Sequence, residues 1–242
     1  MSEPLVICLG TSEEPVPDLD FLPWKTLPLS SGLPLSQTGY PLREDIAKAC
    51  ARMLPEVEAV DLDRPLAVYA QGFAAAAALM LLSRMHRRAA CGVLLGALAD
   101  PLSALGLGSC AMPDTSRPLT DQIHDLAGNS IVDCLQDITC PLLILHGEKD
   151  DVIPSAQADE LYVLMRTLHP DLPSRLVLFP GSGHTLSKAD QAICEREIRD
   201  FLCQVKGFDA IQPGHHMIEK NRIVRLGGKL FQTFLPARAG RD

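Results

Sequence analysis

The chain is predicted to be an α/β protein with a mostly parallel central sheet of roughly six strands and helices on both faces. Two observations predict this. Short apolar runs alternate with longer segments of helical apolar spacing, the pattern of a parallel sheet covered by helices. Several of the short runs, such as Leu5–Leu9 and Cys91–Leu98, are apolar throughout and read as buried strands. At 242 residues the chain has the length for one domain with a substantial core.

Leu5–Leu9 is the first strand and Trp24–Leu29 a weaker second one. Pro28, Pro34 and Pro41 with Gly32 and Gly39 then mark an irregular loop. From Arg43 to about Val60, Ile46, Ala49, Cys50, Met53 and Leu54 fall at helical spacing. Leu66–Ala70 is a strand followed almost without a loop by an alanine-rich helix, Phe73–Met85, and then by the strand Cys91–Leu98. Residues 99–138 break the rhythm and read as a small cap insertion, with a short helical stretch near Leu119–Leu126. The core pattern resumes with strand Pro141–Leu145, helix Ser155–Leu168, strand Arg175–Phe179 and helix Lys188–Val205. The expected division is a domain over 1–205 and a C-terminal extension over 206–242, for which partial order at best is expected.

Hydrophobic residues make up 47% and charged residues 21%, as in globular chains rather than disordered ones. The net charge of −8 argues against general nucleic-acid binding. From Lys206 onward there are seven Lys/Arg against three Asp/Glu, so the extension is +4 and the rest −12. A cationic tail of this kind would dock on its own acidic body or on an acidic protein partner. No run approaches the roughly 20 apolar residues of a membrane span, and no basic region followed by an apolar stretch marks a signal peptide. The eight cysteines form no CxxC pair or Cys/His cluster, so reduced core thiols, a cytoplasmic location and neither metal nor other cofactor are expected.

Three segments carry chemistry. The first is Pro65-Leu-Ala-Val-Tyr-Ala-Gln-Gly-Phe-Ala-Ala, a strand running through a tight turn into a helix. The second is Pro141-Leu-Leu-Ile-Leu-His-Gly-Glu-Lys-Asp-Asp-Val-Ile-Pro154, and the third Leu176-Val-Leu-Phe-Pro-Gly-Ser-Gly-His184. Together they resemble the α/β-hydrolase superfamily, in a small esterase- or thioesterase-like form, over residues 4–205. The family's Gly-x-Ser-x-Gly elbow falls on Ala70-Gln71-Gly72-Phe73-Ala74, its acid on Asp150 and its histidine on His184, in the family's chain order. Leu5–Leu9 then corresponds to the family's third strand. The second and third segments match well, and the elbow is degenerate.

The resemblance therefore puts Gly72 at the position of the nucleophile. The family's elbow holds that residue at positive φ, which strains any residue carrying a side chain and which glycine adopts freely. The plain alternative is a turn glycine in a shifted register. Shifting the register supplies no nucleophile, because no Ser, Thr or Cys lies between Asp63 and Leu82. For Asp150 and His184 the resemblance implies an oriented imidazole with general-base character. The alternative is an inherited hydrogen bond between two loops. Asp151 is a substitute for Asp150, but the Gly147-x-x-Asp150 spacing favours the latter. By the same resemblance, the backbone amides of Thr11 and Phe73 would form an oxyanion hole, against the alternative of an ordinary strand-to-helix junction.

His146, before Gly147 at a strand end, reads as structural. His124 in the cap and the His215-His216 pair in the extension carry little weight. Three functions follow as expectations: a nucleophile-less relative keeping a pocket for a small acyl- or ester-like ligand, a serine-independent enzyme using His184 and Asp150 as a base, and an interaction subunit acting through its basic tail.

Overall fold

The computed structural model describes residues 3–11, 19–33, 41–100, 128–205, 208 and 223–225. Its centre is one sheet of seven parallel strands in the order β2-β1-β3-β4-β5-β6-β7. The strands are β1 (Leu5–Gly10), β2 (Lys25–Ser30), β3 (Leu66–Gln71), β4 (Ala89–Leu95), β5 (Leu142–Gly147), β6 (Arg175–Phe179) and β7 (Ile223–Arg225). The helices are α1 (Arg43–Glu58), α2 (Ala74–Met85), α3 (Ala156–Leu168) and α4 (Lys188–Gln204), and a 3-10 helix spans Val132–Asp137.

Burial on both faces explains the continuously apolar strands. Leu5, Ile7 and Leu9 of β1 point to one core while Val6 and Cys8 point to the other. The first core is roofed by α1, α2 and α3 through residues such as Ile46, Ala49, Leu81 and Leu161. The second is closed by α4 through Cys194, Ile198, Phe201 and Leu202, and by Phe208, whose ring meets Trp24 edge-on at 5.4 Å. All five alanines of Ala74–Ala78 are buried, so α2 lies directly on the sheet. A Cβ added to Gly92 of β4 would come within 2.7 Å of both Leu82 and Leu142 side chains, so glycine permits this close approach.

Two boundaries move from expectation. β4 begins two residues early and ends at Leu95, because the chain turns at Gly96 with φ +63. Ala97, Leu98 and Ala99 remain buried, so the apolar run outlasts the strand. The seventh strand, β7, lies in the C-terminal extension and pairs Leu176 with Ile223 at the sheet edge. The expected helix at 119–126 and the cap between 101 and 127 lie outside the described residues, as do His124 and the His215-His216 pair.

The strand order also contains a topological switch point. From β1 the chain moves outward to β2 and then returns to β3 on the opposite side of β1. Connections leaving the carboxyl ends of β1 and β3 therefore diverge, and ligands of open α/β sheets bind at such a point. Thr11 follows β1 there, and Gly72 and Phe73 follow β3.

Candidate active site

The β3–α2 turn is built around Gly72, whose φ is +56. Its amide donates to Leu95 O at 2.8 Å, carrying the β3–β4 ladder one step beyond the strand. Its carbonyl accepts from Ala75 N at 3.1 Å, which starts α2. The conformation is left-handed, and a residue with Cβ would be strained in it. Gly96, at the end of the neighbouring strand, has the same conformation. A Cβ on Gly96 would stand 4.0 Å from Gly72 N and 3.7 Å from Asp150 Oδ2, which sets the acid beside the turn. Phe73 caps α2 and is buried, and Thr11 is 7% exposed.

Asp150 follows β5 and its side chain is 1% exposed. Its Oδ1 accepts from Val152 N at 2.9 Å and Ile153 N at 2.8 Å. Its Oδ2 accepts from His184 Nδ1 at 2.9 Å and faces His146 Nε2 at 3.3 Å. Burial pushes this carboxyl upward. Hydrogen bonds from His146, His184 and the Ile153 amide, with the charge of His184, outweigh that and hold it well below the usual carboxylate range. Asp151 is exposed, so Asp150 is the residue the fold turns inward.

The loop bearing His184 is pressed backbone-to-backbone against the acid's strand end. A Cβ on Gly147 would fall 2.2 Å from Gly183 O and 2.6 Å from Ser182 O. Lys149 N donates to Ser182 O at 2.9 Å, and Glu148 N to Phe179 O at 3.0 Å. The buried Ser182 hydroxyl donates to Asp190 Oδ2 at 2.6 Å and accepts from Ser187 N at 2.8 Å. Ser187 in turn caps α4 by accepting from Asp190 N. The His184 side chain, 21% exposed, thus hangs from a loop tied to both β5 and α4.

The structure therefore brings Asp150 and His184 into hydrogen-bond contact and places Gly72 at a turn whose neighbour, Gly96, abuts the acid. Thr11 and Phe73 sit at the ends of adjacent strands. Sequence reasoning treated His146 as structural and missed its approach to Asp150. Its place four residues before the acid, on the strand that delivers it, was the available signal. Among the described residues no group of three or more His, Cys, Asp or Glu side chains could hold a metal ion. No helix among them is long and apolar enough to cross a membrane.

Residues 114–208 match the prolyl oligopeptidase family, the Peptidase_S9 profile. That span contains Asp150 and His184 and excludes the Gly72 turn. The chain is 40% identical over 52 residues to the uncharacterized peptidase YuxL of Bacillus subtilis (strain 168), covering 22% of this chain and 8% of that protein. In structure it resembles a Mycobacterium tuberculosis puromycin-hydrolyzing peptidase, with TM-score 0.61 and 19% identity over 89% of this chain and 37% of that one. The Pyrococcus horikoshii acylaminoacyl peptidase gives 0.56 and 12% identity over 88% and 38%. A putative lipase from Acinetobacter baumannii AYE gives 0.52 and 16% identity over 83% and 84%. The chain spans well under half the length of the peptidases it resembles. It has the α/β-hydrolase fold, and its sequence similarity runs to the prolyl oligopeptidase family.

Proposed function

We propose that this chain is an α/β-hydrolase-fold protein without a side-chain nucleophile, which retains its site as a pocket for a small acyl- or ester-like ligand and does not carry out ordinary esterase or peptidase turnover. The observation that carries this reading is Gly72 at φ +56, the turn of a nucleophile elbow with no side chain on it. Covalent acyl transfer needs an oxygen or sulfur at that point. The similarity to the peptidase family covers the acid and histidine loops, residues 114–208, and so bears on that half of the site alone. In this reading the backbone amides of Thr11 and Phe73, which follow β1 and β3, would receive a carbonyl or carboxylate oxygen.

The direct test is Gly72→Ser with p-nitrophenyl esters from acetate to octanoate. Wild type is expected to show no burst and no turnover above background. Gly72→Ser is expected to show an acyl-enzyme burst that His184→Ala removes. Rapid ester turnover by wild type, or its labelling by a fluorophosphonate, would end the proposal.

A second reading rests on the 2.9 Å contact between His184 and Asp150. An imidazole donating from Nδ1 to a charged carboxylate presents Nε2 as a base, which could activate water or abstract a proton without a covalent step. General-base catalysis of this kind contributes about 10²–10⁴-fold, so the substrate would have to be intrinsically reactive. Any wild-type turnover that survives in His184→Ala counts against this reading. A role for the basic extension as a binding segment for an acidic protein is a third reading, and its residues other than 208 and 223–225 lie outside the described ones.

A further inference from the structure

His146 is the fifth residue of β5 and is 0% exposed. Its Nε2 lies 2.8 Å from Ile153 O and 3.3 Å from Asp150 Oδ2. A carbonyl and a charged carboxylate are both acceptors, so Nε2 must carry a proton, which it donates to Ile153 O with Asp150 Oδ2 close alongside. Nδ1 is buried and has no hydrogen-bond partner among the described residues. An unpaired buried nitrogen is a cost that an aliphatic side chain at this strand position would not carry. The imidazole is therefore poorly accounted for as core filling, and the contact made by its other nitrogen is the feature to explain.

That contact closes a ring. Ile153 N donates to Asp150 Oδ1 while Ile153 O accepts from His146 Nε2, so His146 braces the turn 150–153 from beneath. The two backbone amides hold Oδ1. Among the described donors, His184 Nδ1 hydrogen-bonds Oδ2 and His146 Nε2 stands 3.3 Å from it; His184 arrives on a loop whereas His146 stands on the sheet. We infer that His146 is a positioning residue whose Nε2–H holds Asp150 Oδ2 in line with His184 Nδ1, so that the half-buried His184 imidazole is oriented from the sheet as well as from its own loop. The inference concerns the acid–imidazole pair alone and stands whether or not Gly72 marks a lost nucleophile.

Nitrogen-15 NMR of the full chain tests it without any substrate. In wild type, His146 is expected as the Nε2–H tautomer, and the His184 Nδ1–H as a downfield, exchange-protected signal. In His146→Leu that signal is expected to broaden, with solvent exchange at least tenfold faster. His146→Gln, which offers an amide N–H at similar reach, is expected to restore it. Unchanged exchange in His146→Leu, or failure of His146→Gln to restore protection, would overturn the inference. If His146→Leu does not fold, the wild-type tautomer decides: a proton on Nδ1 of His146 refutes the proposal, and one on Nε2 with a protected His184 Nδ1–H supports it.

Discussion

The amide of Gly72 donates to Leu95 O at 2.8 Å, so the turn after β3 is clamped to the end of β4 while its φ stays at +56. The clamp leaves the backbone little freedom to relax if a side chain is added. Gly72→Ala is expected to lower stability by about 1–3 kcal/mol, the cost of a strained left-handed residue. Gly72→Ser should cost a similar amount, since the strain comes from Cβ. Urea unfolding of the three proteins checks this, and equal midpoints would show that the turn is not held as described.

Gly147 is more constrained still, because its missing Cβ is what lets the acid and histidine loops touch. Gly147→Ala would place a carbon 2.2 Å from Gly183 O, a contact that cannot form without moving backbone. The expected loss exceeds about 3 kcal/mol, with the His184–Asp150 hydrogen bond lost as well. Gly128→Ala is the control. Among the described residues nothing lies within 4 Å of its added Cβ, and its thermal midpoint should stay within about 2 °C of wild type.

How much of this was legible in the sequence depends on burial. β1, β3, β5 and β6 are buried along nearly their whole length, so their apolar runs announce them within a residue or two. β2 is an edge strand whose residues are mostly exposed, and its signal is correspondingly weak. β4 was misplaced at its end because Ala97–Ala99 are buried without being strand. β7 is three residues long in a Gly/Pro-rich tail and offered no period to read. At the site, Asp150 and His184 were legible because loop motifs carry them. His146 was not, because a strand histidine beside aliphatic residues looks the same whether it fills space or supports a carboxylate.

Ser182 links the histidine loop to α4, donating to Asp190 and accepting from Ser187 N. Its hydroxyl is buried, so Ser182→Ala leaves an amide without its acceptor at a cost of about 1–3 kcal/mol. Because Lys149 is bonded to the backbone of Ser182, the acid loop should loosen too. Hydrogen exchange of the amides at 148–153 and 182–187 is expected to quicken together. Faster exchange confined to 187–190 would show that the two loops are not coupled.

The described cysteines are thiols, and five of them are buried: Cys8, Cys50, Cys91, Cys140 and Cys194. Burial pushes the Cys8, Cys140 and Cys194 thiols up to about 12. A thiol that is inaccessible and protonated at pH 8 is a poor nucleophile. Iodoacetamide at that pH is expected to modify these five only after denaturation, whereas Cys134 and Cys203, being half-buried, react first. Peptide mapping by mass spectrometry reads the order, and early loss of Cys8 or Cys140 would contradict the packing of the sheet.

The acid's depressed titration also fixes how stability should respond to acid. In the unfolded chain an aspartate titrates near pH 4, whereas in the fold Asp150 holds its proton only at lower pH. A group whose folded value lies below its unfolded value contributes fully above the unfolded value, and loses that contribution as pH falls toward the folded one. Asp150→Asn removes the titration together with the attraction between the carboxylate and the two imidazoles. Wild type should therefore be more stable than Asp150→Asn at pH 5, and the gap should narrow between about pH 4 and pH 2. Asp133, also held low by its hydrogen bonds to Arg43, is present in both proteins and cancels in the difference. Thermal midpoints measured for both proteins across that window test the sign directly. A gap that stays constant or widens on acidification would mean that Asp150 is not held charged by the two histidines and the Ile153 amide.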